Sequence, residues 1–177
     1  MRGAWAGDSH AATPGVSRGI FMQKVELHIN GFTRTLLVGV HETLLDTLRE
    51  NLNLTGTKRG CDQASCGSCT VLLDGVPVLS CITPSLRCDG REILTIEGLG
   101  IEGHLHPVQE RLVSEGGLQC GFCTPGIVMT VVPFLNENPD ATDEEIKEAL
   151  SGNLCRCTGY KKIIDSVRLA AEDLRHE

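Results

Sequence analysis

GCDQASCGSC, residues 60–69, is the stretch that decides how the first half of this chain of 177 residues folds. Its three cysteines lie close together, so their thiolates can meet at one centre only if the backbone curls tightly. Gly60 and Gly67 allow backbone conformations that are closed to other residues. The small residues at positions 64, 65 and 68 let backbone N–H groups approach the sulfurs. The stretch therefore predicts a compact loop around a metal centre.

A fourth cysteine follows this loop further along the chain. The complete set is Cys61, Cys66, Cys69 and Cys81. Four residues separate the first two cysteines and two separate the next two, which is typical of plant-type 2Fe-2S sites. A tetrahedral zinc site made of four cysteines is the alternative, and the four-residue gap disfavours it. We therefore predict a 2Fe-2S cluster on this set.

Four more cysteines form a second set with a different spacing: Cys120, Cys123, Cys155 and Cys157. Taken alone, a Cys-x2-Cys pair and a Cys-x-Cys pair suit zinc or a redox dithiol almost as well as iron. Thr-Pro follows the first pair and Thr-Gly follows the second, which predicts that both pairs lie at helix N-termini. The helix dipole and free N–H groups there stabilise thiolates and the extra charge of a reduced cluster. This position favours a second iron-sulfur cluster.

The ninth cysteine, Cys88, falls outside both spacings, and we predict that it is a buried structural residue. The six histidines form no pair with metal-ligand spacing near a carboxylate, and the sequence contains no Ser-His-Asp pattern, Walker loop or dinucleotide-binding GxGxxG. We therefore predict no catalytic residue on this chain. It is expected to move electrons for chemistry that takes place elsewhere.

Charge and composition limit the classes of partner. A net charge of -7 without a basic stripe argues against nucleic acid or an anionic membrane surface as a partner. The longest apolar stretch, Ile127–Leu135, is too short to cross a bilayer, so we expect no membrane insertion. Nine cysteines without a signal-like apolar run near the start indicate a reducing compartment, where thiolates bind metal. The predicted location is cytoplasmic.

The pattern around the first cysteine loop predicts a small sheet. Apolar and polar residues alternate from Val25, turn at Asn30-Gly31 and return in Thr33–Val40. The further predicted elements are a helix opening at Thr43, a hairpin of Thr70–Leu73 and Val76–Ile82 with Cys81 on its return strand, and a last strand at Arg91–Ile96. This order is that of a β-grasp ferredoxin domain.

A Gly-rich break at Glu97–His104 separates this region from one with helical periodicity. The predicted helices cover Val108–Glu115, Gly126–Asn138 behind a Thr124 N-cap, a segment from the Thr142-x-x-Glu145 capping box to Ser151, and an apolar stripe from Tyr160 to Ala171. Four helices in about 70 residues predict a small bundle that carries the second cysteine set in its loops.

The predicted class is therefore α+β, with three segments. Residues 1–21 are rich in Gly, Ala and Ser and lack periodicity, so we predict a disordered N-terminal extension. Residues 22–99 form the β-grasp 2Fe-2S ferredoxin domain. Residues 100–177 form the all-α, four-helix-bundle 2Fe-2S domain.

The chain resembles the iron-sulfur subunits of the molybdenum hydroxylases, a family that includes xanthine dehydrogenase, aldehyde oxidoreductases, carbon monoxide dehydrogenase, 4-hydroxybenzoyl-CoA reductase and bacterial N-heterocycle hydroxylases. The resemblance covers residues 22–175. Its phrases in this sequence are LTGTKRGCDQASCGSC, TIEGL, HPVQ, QCGFCTPG and GNLCRCTGY.

The resemblance implies an electron-transfer subunit that passes single electrons between a molybdenum-pterin centre and FAD while the holoenzyme hydroxylates a small organic substrate. Gln119 and Cys157 match the positions that lie close to the pterin. The molybdenum cofactor and FAD would belong to a large and a medium subunit, the medium one absent in some relatives, and the assembly is expected to be a dimer of heterotrimers. A freestanding two-cluster carrier or iron-sulfur sensor is the alternative function, and a zinc-stapled interaction module is a third.

Overall fold

The computed structural model describes residues 21–100 and 103–176. The predicted extension lies outside these residues, except for Phe21, whose carbonyl accepts a hydrogen bond from the Val40 amide (3.1 Å). The described chain forms a mixed sheet followed by a helical region, so the predicted α+β class is confirmed.

Five strands form the sheet within the described residues: β1 Met22–Ile29, β2 Phe32–Gly39, β3 Thr70–Leu73, β4 Val76–Leu79 and β5 Glu92–Leu94. Their order across the sheet is β2-β1-β5-β3-β4. The β1–β5 pair is parallel, and the other pairs are antiparallel. Both hairpin turns, Asn30-Gly31 and Asp74-Gly75, have positive φ at both residues, as type I′ turns require. This is the predicted β-grasp arrangement.

The second hairpin is shorter than the sequence pattern predicts. β4 ends at Leu79, so Cys81 lies in the turn beyond the strand and not on it. The amide and hydroxyl of Ser80 both donate to the Cys69 carbonyl, at 3.3 Å and 2.7 Å, and the Ile82 amide donates to the Leu79 carbonyl. These bonds end the ladder and bend the chain back. The last strand is likewise shorter than the predicted 91–96.

The helix predicted to open at Thr43 is confirmed at its start. Thr43 and Asp46 form a capping box for α1, Leu44–Asp46, which continues as a π-helical turn, Thr47–Asn51. Its leucines at 44, 45 and 48 are completely buried, Leu44 and Leu48 in the core of the sheet region and Leu45 beside Cys69 and Cys81. This packing places the end of the helix just before the cysteine loop.

Four helices make up the described part of the second region: α2 Pro107–Ser114, α3 Thr124–Glu137, α4 Asp143–Ala149 and α5 Lys161–Leu174. Their apolar faces share one core, which includes Leu112, Ile127, Ile146 and Ile163. The Thr142–Glu145 capping box is present. Among the described residues, no helix is long and apolar enough to cross a membrane.

The start of α3 differs from the prediction. Cys123 is the N-cap, and Thr124 and Pro125 are already the first two residues of the helix. Cys123 has helical backbone angles, and its carbonyl accepts the first helical hydrogen bond, from the Ile127 amide (3.0 Å). The predicted cap is therefore shifted by one residue, which brings a cysteine directly onto the helix end.

The two regions touch where α3 begins. A Cβ added at Gly126 would lie 2.2 Å from the Gly67 carbonyl oxygen, and a Cβ added at Gly67 would lie 2.5 Å from the Gly152 carbonyl oxygen. Gly67 also has a φ of +71°, which favours glycine. Glycine at 67 and 126 therefore lets the first cysteine loop pack directly against the helical region.

Candidate functional site

The first cysteine loop curls at Gly67, as the sequence predicts, and also at two residues that the sequence does not single out. Asp62, Ala64 and Gly67 have positive φ. Gly60 is needed for space instead, because an added Cβ would lie 2.7 Å from the Cys66 sulfur. The curl brings the Ser65 amide to 3.3 Å from the Cys61 Sγ. Hydrogen bonds from Ser65, and a further one from the Gln63 backbone, lower the pKa of Cys61 to about 6, which favours a thiolate.

The other two cysteines of this set lie beneath the loop. Cys69 and Cys81 are both buried, and their side chains interact with each other. Burial raises the pKa of the Cys69 thiol to about 11. A thiolate in this place needs a counter charge, and a metal centre supplies one. The Ser80 bonds to the Cys69 carbonyl hold the two cysteines side by side.

The second set is divided into an outer and an inner pair. The outer pair, Cys120 and Cys157, is exposed, with the two sulfurs 3.5 Å apart. The inner pair, Cys123 and Cys155, is half-buried, and its thiols also interact with each other. Burial and the neighbouring thiol raise the pKa of Cys123 to about 12. Burial opposes ionisation of Cys155 as well, but hydrogen bonds with Thr158 outweigh it and lower that pKa.

All eight thiols thus meet two by two. The pairs are Cys61 with Cys66, Cys69 with Cys81, Cys120 with Cys157, and Cys123 with Cys155. Among the described residues, no three His, Cys, Asp or Glu side chains gather around one metal-ion position. Two pairs of thiolates suit a 2Fe-2S cluster, in which each iron takes two cysteines and two bridging sulfides.

The two cysteine sets are joined through the backbone. The Leu154 amide donates to the Cys66 carbonyl at 2.9 Å, and the Asn153 side-chain amide donates to the Gly67 carbonyl at 3.2 Å. Leu154 directly precedes Cys155, so one hydrogen bond links a cysteine of the first set to the neighbour of a cysteine in the second. The sequence gives no signal for this contact, because it joins residues far apart in the chain.

Tyr160 is a site residue that the sequence pattern misses. Its place in an apolar stripe predicts a core side chain, yet its hydroxyl accepts from the Cys155 amide and donates to the Asn153 carbonyl, both at 2.8 Å. Its position in the sequence could have indicated a role at the site, since it is the chain's only tyrosine and directly follows the Cys-x-Cys-Thr-Gly run.

Cys88 lies apart from both sets, in the core of the sheet region, as the sequence predicts. It is completely buried, and its thiol donates to the Pro84 carbonyl at 3.7 Å. Burial raises its pKa above the ordinary value. Gln119 is exposed and directly precedes Cys120, whose sulfur meets that of Cys157.

Two family models match successive parts of the chain. Residues 27–91 match the family model for a 2Fe-2S iron-sulfur cluster binding domain, and residues 95–168 match the model for a [2Fe-2S] binding domain. The chain is 49% identical over 144 residues to the nicotine 6-hydroxylase small subunit of Paenarthrobacter nicotinovorans, covering 81% of this chain and 87% of that one.

A solved structure is equally similar. The crystal structure of quinoline 2-oxidoreductase from Pseudomonas putida 86 contains a chain that superposes with a TM-score of 0.84 at 44% identity. The match covers 88% of this chain and 97% of that chain. This chain belongs to the iron-sulfur subunits of the molybdenum hydroxylases.

Other members of the molybdenum hydroxylase family carry the same unit within a longer chain. The aldehyde oxidoreductase of Megalodesulfovibrio gigas is 44% identical over 153 residues, which cover 85% of this chain but 17% of the relative. An iron-sulfur subunit of this kind therefore occurs both as a separate chain and as one part of a larger oxidoreductase, which implies partner subunits for the present one.

Proposed function

We propose that this iron-sulfur subunit passes single electrons between a molybdenum-pterin centre and FAD, both held by partner subunits, while the holoenzyme hydroxylates a small organic substrate. The observation that carries the proposal is the backbone link between the two cysteine sets, from Leu154 to Cys66. A relay needs two centres close together, and this bond joins the backbone of a cysteine in the first set to the residue that precedes a cysteine in the second.

The eight paired cysteines are the proposed ligands. Cys61, Cys66, Cys69 and Cys81 would hold the first 2Fe-2S cluster, and Cys120, Cys123, Cys155 and Cys157 would hold the second. When bound, each cluster stores one electron. The first loop would stabilise the added negative charge because the Ser65 amide donates to the Cys61 sulfur, and the dipole of α3 would do so at the second set because Cys123 is its N-cap.

Exposure supports one orientation of the relay. Gln119 and the outer pair, Cys120 and Cys157, lie at the surface, whereas the inner pair lies next to the link to the first set. We therefore place the pterin against Gln119 and Cys157. Phe122 and Leu154 are large apolar residues that stay exposed beside this second set, as expected for a face that a partner covers.

The proposed partners are a large molybdenum-pterin subunit and a medium FAD subunit, in a cytoplasmic dimer of heterotrimers. The names of the relatives support a hydroxylase: one is a nicotine 6-hydroxylase small subunit and another belongs to a quinoline 2-oxidoreductase. The substrate pocket would lie on the large subunit, so this chain does not define the substrate.

Purification of the natively expressed complex tests the proposal. Co-purifying molybdenum and flavin subunits, together with reduction of both iron-sulfur signals by substrate, are the expected results. A native chain that runs as a free monomer with both clusters intact would favour the freestanding carrier instead. A colourless chain with stoichiometric zinc would contradict both functions.

A further inference from the structure

The peptide group between Asn153 and Leu154 forms hydrogen bonds through both its N–H and its C=O. Its N–H belongs to Leu154 and donates to the Cys66 carbonyl at 2.9 Å. Its C=O belongs to Asn153 and accepts from the Tyr160 hydroxyl at 2.8 Å. A hydrogen bond to the carbonyl of a peptide polarises that peptide and strengthens the bond that its N–H donates.

The same hydroxyl also binds the next peptide. The Cys155 amide donates to the Tyr160 oxygen at 2.8 Å. Tyr160 therefore holds the peptides before and after Leu154, and a chain of hydrogen bonds runs from the Cys155 amide through the hydroxyl and the Asn153–Leu154 peptide to the Cys66 carbonyl. Asn153 itself is buried, and its side chain bonds Gly67, so the peptide has little freedom to turn away.

We propose that Tyr160 is a positioning residue for electron transfer between the two clusters, acting by orienting and polarising the peptide whose N–H contacts Cys66. The inference rests on the proposed function. The step that it serves moves one electron from the second ligand set to the first, so that one centre is oxidised as the other is reduced, and no proton is transferred.

Replacement of Tyr160 by Phe removes one oxygen atom and keeps the ring that packs against the helical core. Ser166→Ala is the matched control, because it removes a hydroxyl from the helix that begins directly after Tyr160. The Ser166 hydroxyl donates to the Lys162 carbonyl at 2.6 Å and touches neither cysteine set. Both variants are expected to bind two clusters.

Transfer between the clusters is measured on the full chain. Flash-excited deazaflavin supplies one electron, and freeze-quenched electron paramagnetic resonance follows its redistribution between the two signals. In Tyr160→Phe the redistribution should be slower by about threefold or more, since the polarised link is lost. Ser166→Ala should match the unaltered chain. Equal rates in Tyr160→Phe and the unaltered chain, or loss of the second cluster in Tyr160→Phe, would overturn the inference.

Two further experiments test the orientation of the peptide and the role of the hydroxyl separately. Hydrogen exchange followed by mass spectrometry should show faster exchange in the peptide that contains Leu154 in Tyr160→Phe alone, and unchanged exchange there would count against the orienting role. Because the chain has one tyrosine, growth on 3-fluorotyrosine alters only this position while keeping a hydroxyl. That protein should transfer electrons within about twofold of the natural rate, and a rate as slow as that of the Phe variant would reject the role of the hydroxyl.

The outcome separates this inference from the proposed function. If the unaltered chain redistributes electrons between two clusters but does not assemble with molybdenum and flavin subunits, the wider proposal fails and Tyr160 keeps its role. If the complex assembles and substrate reduces both clusters at the same rate with Phe at 160, the role of Tyr160 fails alone.

Discussion

Cys61 and Cys69 are the first and last cysteines of the same loop, yet their thiols have opposite tendencies to ionise. Hydrogen bonds from Ser65 lower the pKa of Cys61, whereas burial raises that of Cys69. Both must be thiolates to bind iron. The Cys61 sulfur is therefore ready to bind metal as a thiolate. The Cys69 sulfur becomes a stable thiolate only when metal is bound.

The isolated position of Cys88 leads to a prediction at this scale. Cys88→Ser should retain both clusters, whereas Cys66→Ser should lose the first. Burying a hydroxyl in place of a thiol in the sheet core should lower the free energy of unfolding by about 1–2 kcal/mol. Iron analysis and thermal unfolding check both parts. A missing cluster signal in Cys88→Ser would show that this cysteine belongs to a ligand set.

Gln119 supports a second prediction. In the complete complex, Gln119→Ala should slow electron transfer from reduced molybdenum to the nearer cluster while leaving both clusters assembled, because this exposed side chain is not a ligand. Stopped-flow reduction by substrate measures the rate. Gln63→Ala, which removes an exposed glutamine beside the other cysteine set, should leave it unaltered. Identical kinetics in both variants would remove Gln119 from the transfer path.

At the scale of elements, the contact between α3 and the first cysteine loop depends on a missing side chain. Gly126→Ala would place a methyl group 2.2 Å from the Gly67 carbonyl oxygen, so one of the two backbones must move. Overpacking of this kind lowers the free energy of unfolding by about 1–3 kcal/mol.

We therefore expect Gly126→Ala to lower the midpoint of thermal unfolding, even though alanine favours helix more than glycine does. Gly152→Ala is the control, because a Cβ there meets nothing within 4 Å. The change in the free energy of unfolding caused by Gly152→Ala should stay within about 0.5 kcal/mol. Equal midpoints for the two variants would contradict the close contact.

The ion pair between α2 and α5 gives a prediction about pH. Arg111 donates to both carboxylate oxygens of Asp173, at 2.5 Å and 2.7 Å, and these bonds hold the pKa of Asp173 below its ordinary value. A carboxylate with a lowered pKa stabilises the fold above its unfolded pKa and loses that contribution as pH falls through the folded value.

Asp173→Asn should therefore destabilise the chain by about 1 kcal/mol, a modest value because the pair is partly exposed. The difference in the free energy of unfolding between Asp173→Asn and the unaltered chain should stay constant between about pH 8 and pH 5. It should narrow only below about pH 4. Thermal unfolding across this range measures it. Glu144→Gln breaks the more exposed pair with Lys147, so it should change the free energy of unfolding little at any pH.

At the scale of the whole molecule, the two cysteine sets have unlike surroundings, the first in a curled loop beside a sheet and the second in the loops that precede two helices. Cys123 is the N-cap of α3, but Cys155 and Cys157 lie ahead of Tyr160, the N-cap of α5, so the predicted position at a helix N-terminus is wrong for that pair. Because the surroundings of the two sets differ, the purified chain should hold about four irons and four sulfides and give two distinguishable paramagnetic signals on partial reduction. Metal and sulfide analysis with electron paramagnetic resonance provides the check. Iron for a single cluster would reject the assignment of one set.

Short-range signals explain what the sequence predicts well. The Asn30-Gly31 turn and the Thr142–Glu145 capping box depend on neighbours in the chain, and both are present. The shift of the N-cap to Cys123 and the early end of β4 depend on local hydrogen-bond competition, which a pattern of residue types does not resolve. The Leu154–Cys66 bond and the hydroxyl bonds of Tyr160 depend on tertiary packing, so spacing alone gives no access to them.

The contact between Asn153 and Gly67 joins residues 86 positions apart. During synthesis the first cysteine loop leaves the ribosome long before its partner exists, and domains fold as units in that order. The first loop can therefore fold before the second one has been made, and Asn153 then closes onto a loop that is already formed.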